Sequence, residues 1–240
     1  MGLCIDYRLS TFLIFGLYTQ PFQMKLEADS INLRFGENVV LSDIYTNFST
    51  GNITGVLGRN GCGKSSLFKI IFGTLNAEYA TIRVDNVYNR SLYKSNLIKY
   101  LPQNFIIPAN ISVQKAIYLF NSDKEKCNTY FKNYDIDLHS KMEKLSGGQR
   151  RLVEIIIFLN SESHFIILDE PFTHLMPLQI EALKELFFDY KTQKCLIISD
   201  HQYRHIIDIA DSIYLLKDAK THLLKKGNYI EELQRLMYIL

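Results

Sequence analysis

Residues 53–72 read ITGVLGRNGCGKSSLFKIIF, and three backbone behaviours follow one another inside that stretch. Ile53 to Leu57 is a short apolar run, which predicts a buried strand. Gly58-Arg59-Asn60-Gly61-Cys62-Gly63-Lys64-Ser65-Ser66 interrupts it, and Leu67, Ile70 and Ile71 resume the apolar pattern at helical spacing. Strand, glycine-rich loop and helix in that order make a phosphate cradle. The glycines let the chain turn with no side chain in the way, so consecutive N–H groups at the helix N-terminus point at the β- and γ-phosphates. Lys64 carries a positive charge to the same oxygens, and Ser65 offers a hydroxyl to Mg²⁺. A chance glycine turn is the bland alternative, but it requires neither the strand before it nor the helix after it.

The bulk properties narrow the class. With 240 residues, 47% of them hydrophobic, the chain can bury the core of one large α/β domain or of two smaller units. A net charge of +2 and the absence of a Lys/Arg-rich run give no reason to expect nucleic acid as a partner. Cys4, Cys62, Cys127 and Cys195 are far apart with no C-x-x-C pair, which argues against zinc and against a disulfide framework and fits a reducing cytosol. Leu9 to Tyr18 is apolar but only about half the length needed to cross a bilayer. Residues 1–23 therefore read as an over-extended start, with an interfacial anchor as the alternative, and a single domain is expected over 24–240.

Within that domain, alternation from Met24 to Ser49 predicts two or three antiparallel strands turning at Gly36-Glu37-Asn38. Phe35 closes the first of them, where an aromatic face can stack on a purine or simply join the core. Strands are expected at Ala80 to Asn86 and Leu97 to Leu101, the latter followed by Gln103. Residues from about 104 to 146 read as a small helical insertion, with helices at Ser112 to Phe120 and Lys124 to Tyr134. Leu145-Ser146-Gly147-Gly148-Gln149 then opens an apolar helix, which makes a second anion-binding N-terminus. One nucleotide does not need both from one chain, so two copies facing each other are implied. His164 to Glu170 is a buried strand delivering Asp169 and Glu170 at its C-terminal end, where open parallel sheets bind ligands. Pro177 starts another helix, Cys195 to Ser199 forms a strand ending at Asp200-His201, and Ser212 to Leu216 with His222 to Leu224 are expected as two edge strands before an amphipathic C-terminus.

Taken in order, Phe35, GRNGCGKS, Gln103, LSGGQ, FIILDE and His201 closely resemble the ATP-binding cassette (ABC) ATPases, and the resemblance runs from Met24 to Leu240. It implies an α/β P-loop NTPase core with a mixed central sheet, an N-terminal antiparallel β part and a small helical subdomain. It further implies Mg-ATP as cofactor and a head-to-tail pair of cassettes, each ATP held between the phosphate loop of one and Ser146-Gly147-Gly148-Gln149 of the other. In that pattern Phe35 matches the adenine-stacking aromatic, Lys64 and Ser65 the phosphate and Mg²⁺ ligands, and Gln103 the glutamine sensing Mg²⁺ and water. Asp169 matches the metal-holding aspartate, Glu170 the catalytic glutamate and His201 the switch histidine. The sequence departs at Met176, which stands where the family has an aspartate, and this is expected to slow hydrolysis.

The resemblance implies the energy-coupling subunit of a transporter, held on the inner face of the membrane by separate spanning subunits. Phe105, Ile106 and Ile107 are expected to be exposed and to receive a short helix from such a partner. A regulatory, slowly hydrolysing cassette and a soluble non-transport ABC ATPase are the alternatives. Cys62 is expected to be a reactive thiolate, favoured by Lys64 and the helix dipole.

Overall fold

The computed structural model describes residues 23–240. Of the N-terminal extension read as residues 1–23, all but Gln23 therefore lies outside the described residues.

Two sheets share the core. The smaller is antiparallel, with strand order β2-β1-β4-β5, where β1 is Lys25–Phe35, β2 Asn38–Ser49, β4 Tyr79–Val84 and β5 Val87–Tyr88. The β1–β2 turn falls at Gly36-Glu37 as the alternation requires, whereas β5, only two residues long, carries no pattern that a sequence could reveal. The larger sheet has the order β10-β9-β3-β8-β7-β6, built from β3 (Ile53–Leu57), β6 (Ile98–Leu101), β7 (Phe165–Asp169), β8 (Cys195–Ser199), β9 (Ser212–Lys217) and β10 (Lys220–Leu223). Its pairs are parallel except β9 with β10.

Every residue of β3, β7 and β8 is buried, as parallel strands covered on both faces should be. Period-two alternation divides them between two cores. Ile166, Leu168 and Ile198 join the apolar cluster with helices α4 (Gly147–Leu159) and α5 (Pro177–Lys191). Phe165, Ile167 and Ile197 face the antiparallel sheet and helix α1 (Lys64–Phe72). Each such Ile or Leu stabilises the fold by roughly 1.5–3 kcal/mol. Helices α2 (Val113–Leu119) and α3 (Lys124–Lys132) pack on α4.

Two expectations need correction here. Strand β9 is interior, because its buried Ile213 to Leu216 stretch pairs with β3 on one side and β10 on the other. Helix α6 (Tyr203–Ile209), which follows Asp200-His201, was not anticipated; over its seven residues it buries only Ile206 and Ile209, too few apolar positions to mark a helical face in the sequence. The C-terminal helix α7 covers Tyr229–Arg235, and Tyr238 and Ile239 fold back onto the core beyond it.

The consequence for function is directional. Because β3, β6, β7 and β8 run parallel, their C-terminal ends deliver the glycine loop, Gln103, Asp169-Glu170 and Asp200-His201 to the same edge.

Candidate active site

The glycine loop is shaped as a cradle by its own backbone. Gly63, at φ 111°, precedes the first residue of α1 with no side-chain cap, and no acidic residue stands in the first turn. The first N–H groups of α1 are thus open to an anion. A side chain at Gly63 would be strained by that φ and would press on Val40 and Leu41. Lys64 is buried, its Nζ donating to the carbonyl oxygens of Gly58 at 2.7 Å and Arg59 at 3.3 Å.

A cavity of about 450 Å³ opens over this loop. Asn60, Gly61, Gly63, Lys64, Ser65 and Ser66 form its floor, Phe35 and Val40 one wall, and Gln103 and Glu170 the other. Phe35 is 56% exposed, so it is a wall of the cavity and not a core residue. Gly58, Arg59 and Cys62 belong to the loop without lining the cavity, and Ser146-Gly147-Gly148-Gln149 do not line it either. The latter four open α4 through a capping box. Gln149 N–H donates to Ser146 Oγ at 3.2 Å, and Ser146 N–H donates to Gln149 Oε1 at 3.1 Å.

Asp169 is 2% exposed and held by three hydroxyls from three different elements. Ser65 Oγ donates to its Oδ2 at 2.7 Å, Tyr100 Oη to Oδ2 at 3.1 Å, and Ser199 Oγ to Oδ1 at 2.5 Å. Register explains Ser199, which pairs directly with Asp169 across β7 and β8. Burial, followed by the charge of Asp169, pushes the Tyr100 phenol far above its ordinary value, so it stays a donor. Glu170 sits at φ 50°, a left-handed conformation that costs a non-glycine residue of order 1–3 kcal/mol. Its N–H donates to Ser199 O at 3.0 Å, and its Oε2 accepts from Gln103 Nε2 at 2.9 Å. His201 Nδ1 lies 3.5 Å from the same oxygen and 3.6 Å from Asp200.

One further residue holds this arrangement together. Arg151 is fully buried on the second turn of α4, donating to Pro102 O at 2.8 Å, Asp169 O at 2.7 Å and Glu170 O at 3.2 Å. Its ion-pair partner Glu154, at 3.8 Å, accepts the N–H groups of Ile106 and Ile107 at 2.9 Å each. Burial lowers the Arg151 pKa and raises that of Glu154, so at both ends desolvation outweighs the mutual attraction.

The ABC transporter family model matches residues 41–173, more than half of the chain. The chain belongs to the ATP-binding cassette family. Among curated relatives, the lipopolysaccharide export system ATP-binding protein LptB of Haemophilus influenzae is 27% identical over 214 residues, covering 81% of this chain and 88% of that protein. The ribose import ATP-binding protein RbsA of Oceanobacillus iheyensis is 27% identical over 238 residues, covering 89% of this chain and 48% of that protein. A solved ATP-binding subunit of an ABC transporter superposes with a TM-score of 0.76 at 20% identity, over 89% of this chain and 93% of that one. The cassette is thus an ATP-binding ATPase with the P-loop fold expected from its sequence.

Two sequence expectations meet corrections in the cassette. Ile107 is a core residue, because Glu154 and Arg150 draw the 102–107 segment onto α4; Ile106 is 37% exposed, and Phe105 is partly covered, stacked on His174. Cys62 is no thiolate, since burial raises its pKa and outweighs the opposing pull of Lys64. Tyr100, Ser199 and Arg151 escaped sequence reasoning. Only Arg151 left a signal, as a charged residue inside an apolar helix.

Proposed function

We propose that the cassette hydrolyses Mg-ATP to drive transport of a substrate through separate membrane-spanning subunits. The observation that carries this is the meeting, over one phosphate loop, of an open helix N-terminus, a hydroxyl–carboxylate pair at 2.7 Å and a second carboxylate facing the same cavity. ATP would stack its base on Phe35 and lay its phosphates along Asn60 to Ser66. The donor set suits Mg²⁺. Ser65 and Asp169 supply hard oxygen ligands, and Mg²⁺ takes one or two protein ligands while keeping water and substrate phosphates for the rest. Bound there, the metal would neutralise charge developing on the phosphates.

The residues then divide the work. Glu170 accepts a proton from the attacking water, Gln103 orients the carboxylate and the water, and His201 holds the far side of the γ-phosphate. Ser146, Gly147, Gly148 and Gln149 would complete the site of a second cassette packed head to tail, which explains why they stand away from their own cavity.

Beside Gln103 an apolar groove of about 560 Å³ runs between Phe72, Tyr93, Pro102, Ile106, Phe120 and Phe158. It suits a short helix of a membrane-spanning partner. No helix among the described residues is long and apolar enough to cross a membrane, in keeping with attachment to the inner face through such a partner. Glu170→Gln should retain ATP binding and lose turnover at least a hundredfold. Tyr93→Glu should keep the turnover of the isolated cassette and abolish co-purification with its membrane subunits. Undiminished turnover in the first variant would exclude the assignment of Glu170, and unchanged co-purification in the second would exclude the groove.

A further inference from the structure

We propose that Tyr100 is a positioning residue through which the apolar groove beside Gln103 governs the metal site, so that a partner helix seated in the groove changes how firmly Asp169 meets Ser65. The inference rests on the reading of Ser65 and Asp169 as Mg²⁺ ligands and of the groove as the partner's seat, and adds the side chain that joins the two.

Three observations carry it. The first is that one side chain belongs to both places. Tyr100 lines the groove beside Phe72 and Tyr93, while its Oη donates to Asp169 Oδ2 at 3.1 Å, the oxygen that also accepts from Ser65 Oγ at 2.7 Å. Ser65 and Ser199, the other two hydroxyls on Asp169, do not line the groove. Register makes the reach possible. Tyr100 pairs with Ile167 across β6 and β7, and Asp169, two residues beyond Ile167, projects from the same face of the sheet.

The second is that the ring lies along the helix carrying the other ligand. Phe68 and Phe72 stand one and two turns after Ser65 on the same face of α1, and their ring centroids are 6.3 Å and 5.7 Å from that of Tyr100. Ring on the helix and hydroxyl on the strand's carboxylate, the tyrosine braces α1 against β7. The third is the position of β6 at the edge of the larger sheet, where it pairs with β7 alone. An occupant of the groove therefore meets Tyr100 with no further strand between them. Burial, followed by the charge of Asp169, keeps the phenol protonated by pushing its pKa far above the ordinary value, so the link works through packing and a fixed donor and not through proton transfer.

The test uses the full chain, whose lack of tryptophan lets Tyr93→Trp place a single fluorophore on the groove wall. In a Glu170→Gln/Tyr93→Trp parent saturated with ATP, titrating Mg²⁺ should shift the tryptophan emission, because linkage between two sites is reciprocal. Adding Tyr100→Phe keeps the ring on Phe68 and Phe72 and removes the hydroxyl alone. It should raise the Mg²⁺ midpoint about tenfold or more, or abolish the shift, with ATP affinity in EDTA unchanged. With Glu170 intact, Tyr100→Phe should raise the Mg²⁺ concentration for half-maximal ATPase activity by a similar factor. Emission indifferent to Mg²⁺ in the parent, or an equal midpoint with and without the Tyr100 hydroxyl, would overturn the coupling. So would a Tyr100→Phe protein that binds ATP poorly in EDTA, the mark of a merely structural role. ATPase activity independent of Mg²⁺ in the chain with Glu170 intact would remove the metal reading itself, and the coupling with it.

Discussion

Arg151→Met isolates what the buried guanidinium does. Methionine keeps roughly the length and apolar stem of arginine but removes the donors to Pro102, Asp169 and Glu170 and the positive charge beside Glu154. Three charge-assisted hydrogen bonds at about 1.5–3 kcal/mol each set one scale. Leaving one partner of a buried ion pair uncompensated sets another, about 3–5 kcal/mol. These overlap, since both count the same desolvation, so about 4 kcal/mol is the expected loss. That is a large share of a total stability of about 5–15 kcal/mol, and in a chain of 240 residues it lowers Tm by about 10 °C. Equilibrium urea unfolding should be followed by circular dichroism and tyrosine fluorescence, because the chain has 15 tyrosines and no tryptophan. Arg151→Met/Glu154→Gln should recover part of the loss, since the amide oxygen still accepts from Ile106 and Ile107 without leaving a charge behind. The surviving folded fraction should turn over ATP more slowly, because the carbonyls of Asp169 and Glu170 lose their common anchor. A loss of stability below about 1 kcal/mol, or a double variant no better than the single one, would refute the reasoning.

Ser199→Ala removes a hydroxyl from Asp169 and should raise the Mg²⁺ concentration needed for half-maximal ATPase activity by about tenfold or more; an unchanged Mg²⁺ dependence would count against Asp169 as a metal ligand. Cys62, held protonated by burial, should react with a maleimide at pH 7 more slowly than a free thiol and faster as pH rises. Peptide mass spectrometry decides, and rapid labelling at neutral pH would contradict it. Burial lowers the Lys194 pKa to about 8 while its Nζ is held by the carbonyls of Ser161 and Ser163. The folded state then carries fewer protons than the unfolded one between about pH 8 and the unfolded value near 10.4, so this residue makes stability rise with pH across that window, by at most about 3 kcal/mol. Lys194→Met should flatten that rise in urea titrations, and an identical slope in both proteins would exclude it.

The sequence by itself determined the features that depend on neighbours within a turn or two. The strand, loop and helix of residues 53–72, the helix opened by Ser146-Gly147-Gly148 and the helix beginning at Pro177 all rest on such short-range relations. The order of motifs also named most of what lines the cavity over the glycine loop, from Phe35 to Glu170. What it left open depends on which strands are neighbours. CLIIS and FIILD are both apolar pentapeptides that would sit equally well in any interior slot of a parallel sheet. Only the observed order puts β8 between β3 and β7, and only the register sets Ser199 opposite Asp169. The same holds for Tyr100 on Asp169, for Arg151 reaching back to the ends of two strands, and for Ile107 turning inward on Glu154. The Cys62 thiol likewise took its protonation from burial and not from the charge adjacent in sequence, because desolvation is a property of everything packed around a group, which no local pattern records.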